Sequence, residues 1–259
     1  MTGNILDGWR AQEYGRSGAG VPLRVFTPEG DGPVAGLVTA AQHGEEAVTA
    51  LLARRLMERV PGRETAWAVV PVVNPDGLLG GTRQNDAGVD LNRNFPSATW
   101  LSGESFTYPP GLDPALRRPE HRTNRSSPGA HAGSEPETVA LMELVERLQP
   151  PLVIDLHSPL ECLLVRHGVP EEAVELLTTA ADLPVIDEIE GCPGAFDDWL
   201  GERGIPAIVY EIEQGGLPGI CTRHLPGLGA LLRGGGVSRR WLGGGARAAG
   251  TRRARPRRA

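Results

Sequence analysis

Short apolar runs rich in β-branched residues recur along the chain: PLRVFTP at 22–28, VAGLVTAA at 34–41, WAVVPVV at 67–73, PLVIDLH at 151–157, LPVID at 183–187 and PAIVYEIE at 206–213. Several are apolar at successive positions, the pattern of strands covered on both faces. Between them, EEAVTALLARRLMERV and ETVALMELVERLQ place apolar residues at helical spacing. Strands alternating with helices predict an α/β fold, with a mixed, mostly parallel twisted sheet covered by helices on both faces. SEPET ahead of the second helix reads as a capping box, with Ser134 accepting from the backbone and Glu137 reaching back. Residues 97–133 are rich in Pro, Gly and Ser and show little periodicity; loops that long are functional or disordered.

Composition narrows the picture. A chain of 259 residues, 40% hydrophobic, can bury one sizeable core, so residues 1–233 are expected to form one domain. Beyond it, 234–259 combines glycine runs with eight arginines and no acid, and lacks the apolar content to offset its own ordering entropy. That tail is read as a disordered, solvated end and not as a nucleic-acid or lipid anchor. Without it, 18 basic residues face 32 acidic ones, so the body is strongly acidic. All basic residues are Arg, which reads as coding bias and not as a binding signature. Cys162, Cys192 and Cys221 have no CxxC spacing, which argues against a disulfide framework or a thiolate metal site. The first twenty residues hold no signal-peptide core, and no run approaches about 18 apolar residues, so a cytoplasmic protein with no membrane partner is expected.

Candidate chemistry gathers where predicted strands end. QHGEE follows VAGLVTAA and opens the first helix, which puts His43 and Glu46 three residues apart, able to share a helix face and one ion. Alone, such a pair is more often a surface or capping pair. His157 closes PLVIDLH, at the carboxyl edge where α/β sheets present side chains to a crevice. Two imidazoles and a carboxylate make a three-ligand site with one open position, the arrangement of a catalytic zinc. His121, His131, His167 and His224 lie away from such ends and are set aside. Hydrolysis also needs a base, and Glu211 and Glu213 in PAIVYEIE compete for that role. NPDG at 74–77 makes a turn and leads into TRQNDAGVDLNRNF, which brings Arg83, Asn92 and Arg93 to the same region. Arg and Asn suit an anionic substrate end, and Arg83 could instead hold a developing oxyanion; either Arg could also simply pair with acids of the body.

In this order, HGEE, NPDG, Arg83, DLNRNF, DLHS and YEIE resemble the zinc carboxypeptidases of the carboxypeptidase A type, over residues 10–233. The resemblance implies one zinc ion on His43, Glu46 and His157, Glu211 as base, Arg83 on the carbonyl, and Asn92 with Arg93 on a terminal carboxylate. NPDGLLGGTRQNDAGVDLNRNFPSATW, GSEPET and CPGAFDDWL resemble a subgroup acting on cell-wall peptides. That implies a small peptide with a free carboxylate, cut between D-Glu and meso-diaminopimelate during recycling, with an acid among Glu161, Glu190, Asp197 and Asp198 meeting the distal amine. Digestive members use a mobile Tyr between the second zinc His and the base; Tyr14, Tyr108 and Tyr210 do not match that place. Two other functions share some of these features: an N-acyl amino acid deacylase of the aspartoacylase type, which also carries HxxE and DLNR, and a non-catalytic muropeptide-binding pseudoenzyme. The sequence leaves the oligomeric state open.

Overall fold

The computed structural model describes residues 6–103, 105–107, 123–166, 168–186 and 192–234. In chain order its elements are β1 (Trp9–Arg16), β2 (Pro22–Pro28), β3 (Gly36–Ala40), α1 (Ala47–Arg59), β4 (Trp67–Val70), α2 (Pro75–Gly80), β5 (Ser105–Thr107), β6 (Thr123–Ser126), α3 (Pro136–Leu148), β7 (Val153–His157), β8 (Cys162–Val165), α4 (Glu171–Ala181), β9 (Val185–Ile186), α5 (Phe196–Glu202), β10 (Ala207–Glu211) and α6 (Leu217–Leu232). Eight strands form one sheet in the order β1-β2-β4-β3-β7-β10-β8-β9, and β5 pairs with β6 separately. The four central strands β4, β3, β7 and β10 run parallel, while β1, β2 and the β10–β8 pairing are antiparallel.

Strand alternation sorts the core into two layers. Val38, Ala40, Val69, Ile154, Leu156, Ile208 and Tyr210 face Leu52 and Leu56 of α1, Leu177 of α4 and Leu228 of α6. Leu37, Ala68, Val70, Val153 and Ala207 face Leu141, Leu144 and Val145 of α3 and Phe196, Trp199 and Leu200 of α5. The expected helix-covered mixed sheet is therefore present. Toward the carboxyl edge, the second face turns polar: by alternation it carries Thr39, Asp155, His157 and Glu211, all buried. That change of chemistry on one face locates the site.

The capping box does not form. Glu135 is the N-cap of α3 and Pro136 starts the helix, so Ser134 stands one residue too early. Its hydroxyl instead donates to Glu135 Oε1 and accepts from Asn94 Nδ2, while Glu137 takes the Gly18 N–H and Asn85 Nδ2. Tertiary partners outbid the local motif. LPVID contributes only the two-residue β9. The Arg-rich tail beyond Gly234 lies outside the described residues, and among the described residues no helix is long and apolar enough to cross a membrane.

Candidate metal centre and anion clamp

Three chain segments deliver the candidate ligands. β3 ends at Ala40, and His43 to Glu46 form the turn before α1, closed by a Glu46 N–H to His43 C=O bond of 3.1 Å. The pair thus converges through a turn and not along a helix face: Glu46 is the N-cap of α1 and makes no side-chain cap bond. Thr49 braces this turn, its hydroxyl accepting from Ala41 N–H and donating to the Glu46 carbonyl. Gly44 has no room for a side chain; a Cβ there would lie 1.9 Å from the Gly77 carbonyl carbon, so the turn sits directly on α2. His157 ends β7, the parallel neighbour of β3.

His43 Nδ1 lies 2.7 Å from Glu46 Oε1, and His157 Nδ1 lies 3.2 Å from Glu46 Oε2. The three ligand atoms lie within 4.8 Å of one another, and all three residues are buried. Each imidazole turns its other nitrogen to a buried carboxylate: His43 Nε2 to Asp90 at 3.1 Å and His157 Nε2 to Asp155 at 2.8 Å. Metal-ligating histidines are oriented in this way. Asp155 is itself fixed by Thr39 and Gln42, each donating at 2.6 Å, and Asp90 by the Asn92 N–H and Arg83 Nε. Burial alone would raise the Glu46 carboxyl, but His43 and His157 beside it outweigh that and hold it well below the usual carboxylate range. A borderline-soft divalent cation fits a donor set of two imidazoles and one carboxylate backed by two further carboxylates.

The rival bases separate. Glu211 is the Cα partner of His157 across the β7–β10 pair, on the same sheet face, and its Oε2 accepts the Leu160 N–H at 3.2 Å. Burial pushes its carboxyl above the ordinary value, against the pull of His157. Glu213 turns away to His224 Nε2 and Arg223. His224, fully buried, also meets the Tyr210 hydroxyl, which explains both residues structurally. No described tyrosine reaches the ligands: Tyr210 is spent on His224, and the buried Tyr14 hydroxyl lies beside Glu137. Tyr108, His121, His167 and Glu190 lie outside the described residues. His131 is exposed and hydrogen-bonds through Nδ1 with Ala132 O.

Arg83 puts Nε on Asp90 at 2.8 Å and Nη1 3.7 Å from carboxylate oxygens of Glu45 and Glu46, beside the ligands. In the run Asn92-Arg93-Asn94, the three residues do different work. Asn92 accepts the Phe196 N–H on Oδ1, which fixes its amide with Nδ2 as the remaining donor. Asn94 is a structural hub, donating to Pro128 O, His131 O and Ser134 and accepting from Glu135 N–H. Arg93 is 1% exposed, donates to Asn92 O and Cys192 Sγ, and leaves a buried Nε with no partner among the described residues. Among the described residues no carboxylate lies within ion-pair distance of it. A buried guanidinium without a contact anion is costly unless a ligand supplies one. Of the acids expected to meet a distal amine, Asp197 and Asp198 bond with Arg166 and Glu161 with Arg223, and Glu190 lies outside the described residues.

Asp90, Asp155, Gln42 and the Leu160 amide were not anticipated from the sequence. Asp155 carried a signal, an acid inside an apolar strand two positions before His157 and so on its face. The amide of Leu160 carried none.

A model of the zinc carboxypeptidase family matches residues 9–190. Murein peptide amidase A of Escherichia coli (strain K12) is 34% identical over 224 residues, spanning 86% of this chain and 89% of its own. Its namesake in Vibrio campbellii is 29% identical over 221 residues, 85% of this chain and 86% of its own. The crystal structure of murein-tripeptide amidase from Escherichia coli O157 superposes with a TM-score of 0.77 at 32% identity, covering 86% of this chain and 91% of that one. Thrombin-activatable fibrinolysis inhibitor shares the fold at 19% identity, with a TM-score of 0.67 over 88% of this chain and 70% of its own.

Proposed function

The chain belongs to the zinc carboxypeptidase family, and from that premise we propose that this peptide-bond hydrolase acts on murein peptides, cutting the γ-D-glutamyl–diaminopimelate bond of L-Ala-γ-D-Glu-meso-diaminopimelate. The observation that carries the reading is the convergence of His43, Glu46 and His157 beside Glu211 on one sheet edge. His43, Glu46 and His157 would hold one zinc ion. When bound, zinc supplies Lewis acidity that brings the pKa of a water to about 7. Glu211 takes the proton of the attacking water and returns it to the leaving amine. The Leu160 N–H occupies Oε2 of Glu211, which leaves Oε1 for that proton. Arg83, anchored through Nε, offers its Nη groups to the carbonyl oxygen as charge develops there. Arg93, a buried cation with no carboxylate in ion-pair distance among the described residues, supplies the charge for the substrate's terminal carboxylate, and Asn92 Nδ2 adds a neutral donor. The reading includes a cytoplasmic setting, in keeping with three free cysteines.

Purified protein incubated with the tripeptide should release free diaminopimelate, identified by mass, and lose this activity to a chelator. Glu211→Gln should abolish turnover with metal content unchanged. Retained turnover in that variant removes Glu211 from the base role. If N-acyl amino acids are hydrolysed and the tripeptide is not, the substrate class is wrong.

A further inference from the structure

The segments 92–95 and 192–196, a hundred residues apart, are stitched together along their length. Phe196 N–H donates to Asn92 Oδ1 at 2.8 Å, Phe95 N–H to Gly194 O at 3.0 Å, and Arg93 Nη2 to Cys192 Sγ at 3.2 Å. Gly194, at φ +71°, permits this approach: a Cβ there would lie 2.5 Å from Arg93 O and 2.8 Å from Trp100 Cδ1. The approach delivers a sulfur to the guanidinium of a 1%-exposed arginine whose Nε has no partner among the described residues. The kind of atom matters. Thiol sulfur is a weak acceptor, and burial raises the Cys192 thiol above its ordinary value, so it is neutral at physiological pH. It can aim the guanidinium without cancelling its charge, whereas a carboxylate at the same place would take up the fork that a ligand needs.

We propose that Cys192 is the positioning residue of the anion clamp, a neutral acceptor that orients Arg93 while leaving its positive charge for the carboxylate of the substrate. The inference rests on the reading of Arg93 as the carboxylate-binding cation. Cys192 does not touch the reacting atoms, so its effect belongs in KM and in the preference for a free carboxylate over its amide.

The test compares the zinc-loaded wild type with Cys192→Ala, Cys192→Ser, Cys192→Asp and Arg93→Gln, using the tripeptide and its C-terminal amide. Losing a hydrogen bond to a charged group should raise KM about tenfold in Cys192→Ala, with kcat within about twofold. Cys192→Ser, whose hydroxyl accepts the same bond, should return KM to within about threefold of wild type. Cys192→Asp should raise KM by at least about tenfold and erase the acid-over-amide preference, because its carboxylate occupies Arg93. Should Cys192→Ala fail to fold, the Ser and Asp variants decide alone. Unchanged KM and preference in the Ala and Asp variants, with KM raised in Arg93→Gln, would overturn the role of the thiol and keep that of Arg93. Unchanged KM in Arg93→Gln removes the carboxylate reading itself, and the proposal with it.

Discussion

Asp155 sits in a strand otherwise apolar up to His157, and it fixes the His157 ring through Nε2 while drawing on Thr39 and Gln42. Outer carboxylates of this kind typically carry about 10–100-fold in metal affinity. Asp155→Asn should therefore weaken zinc binding by that factor, measured by competition with a chromophoric chelator, while the fold is retained. Arg83→Gln should lower kcat by about a hundredfold to a thousandfold if it holds the oxyanion, with a smaller change in KM. At this scale His43, Glu46, His157 and Glu211 were legible because strand ends in an α/β sheet face a crevice and because their order resembles a known family. Asp155 was half legible, from its parity with His157. Cys192 and the Leu160 amide were not, since nothing local says which distant side chain a loop atom will meet.

Gly44 makes the turn that carries two ligands lie flat on α2. Gly44→Ala must push that turn away, so its zinc affinity should fall even though neither ligand is altered; unchanged affinity in the chelator competition would show that the contact yields freely. Ser134→Ala tests the other end of the local-rule question. If the hydroxyl serves the Asn94 hub, stability should fall by about 1 kcal/mol by denaturant melt, the worth of an ordinary hydrogen bond. Most strands with continuous apolar runs were readable from sequence, though β8, the run CLLV, was passed over. β1 was not readable: apart from Trp9 it is exposed or half-buried and has no apolar stripe. α6 was hidden by Pro226 and its glycines, which lower helix propensity while tertiary packing against α1 and α4 holds it in place. The capping box misled for the converse reason, because Pro136 fixed where the helix begins.

For the molecule as a whole, ligands drawn from β7 and the turn after β3 mean that metal binds the folded chain and not the unfolded one. At a hundredfold excess over Kd the gain is about 2.7 kcal/mol, or roughly 5–10 °C in Tm for a chain of this size. Chelation should lower Tm by that amount and added zinc should restore it, read by calorimetry. Acid should act through Asp90. Burial works against its ionisation, but Arg83 first, then His43 and Arg93, hold its carboxyl well below the usual range. A carboxyl depressed in the folded state contributes stability above its unfolded pKa of about 4, and loses it as pH falls through the folded value. Between about pH 5 and 3, wild type should lose Tm more steeply than Arg83→Gln; parallel curves would assign acid sensitivity elsewhere.

The parallel pairing of β7 with β10 fixes His157 opposite Glu211 by backbone register, whatever length of chain joins them. The chain between them, through β8, α4, β9 and α5, is thus free to vary only where it packs against neither the core nor the site, which excludes 192–196, stitched to 92–95. Residues grafted after Ala181, at the end of α4, should reshape the protein's periphery and leave hydrolytic geometry intact, which gives this scaffold a permissive port for new specificity.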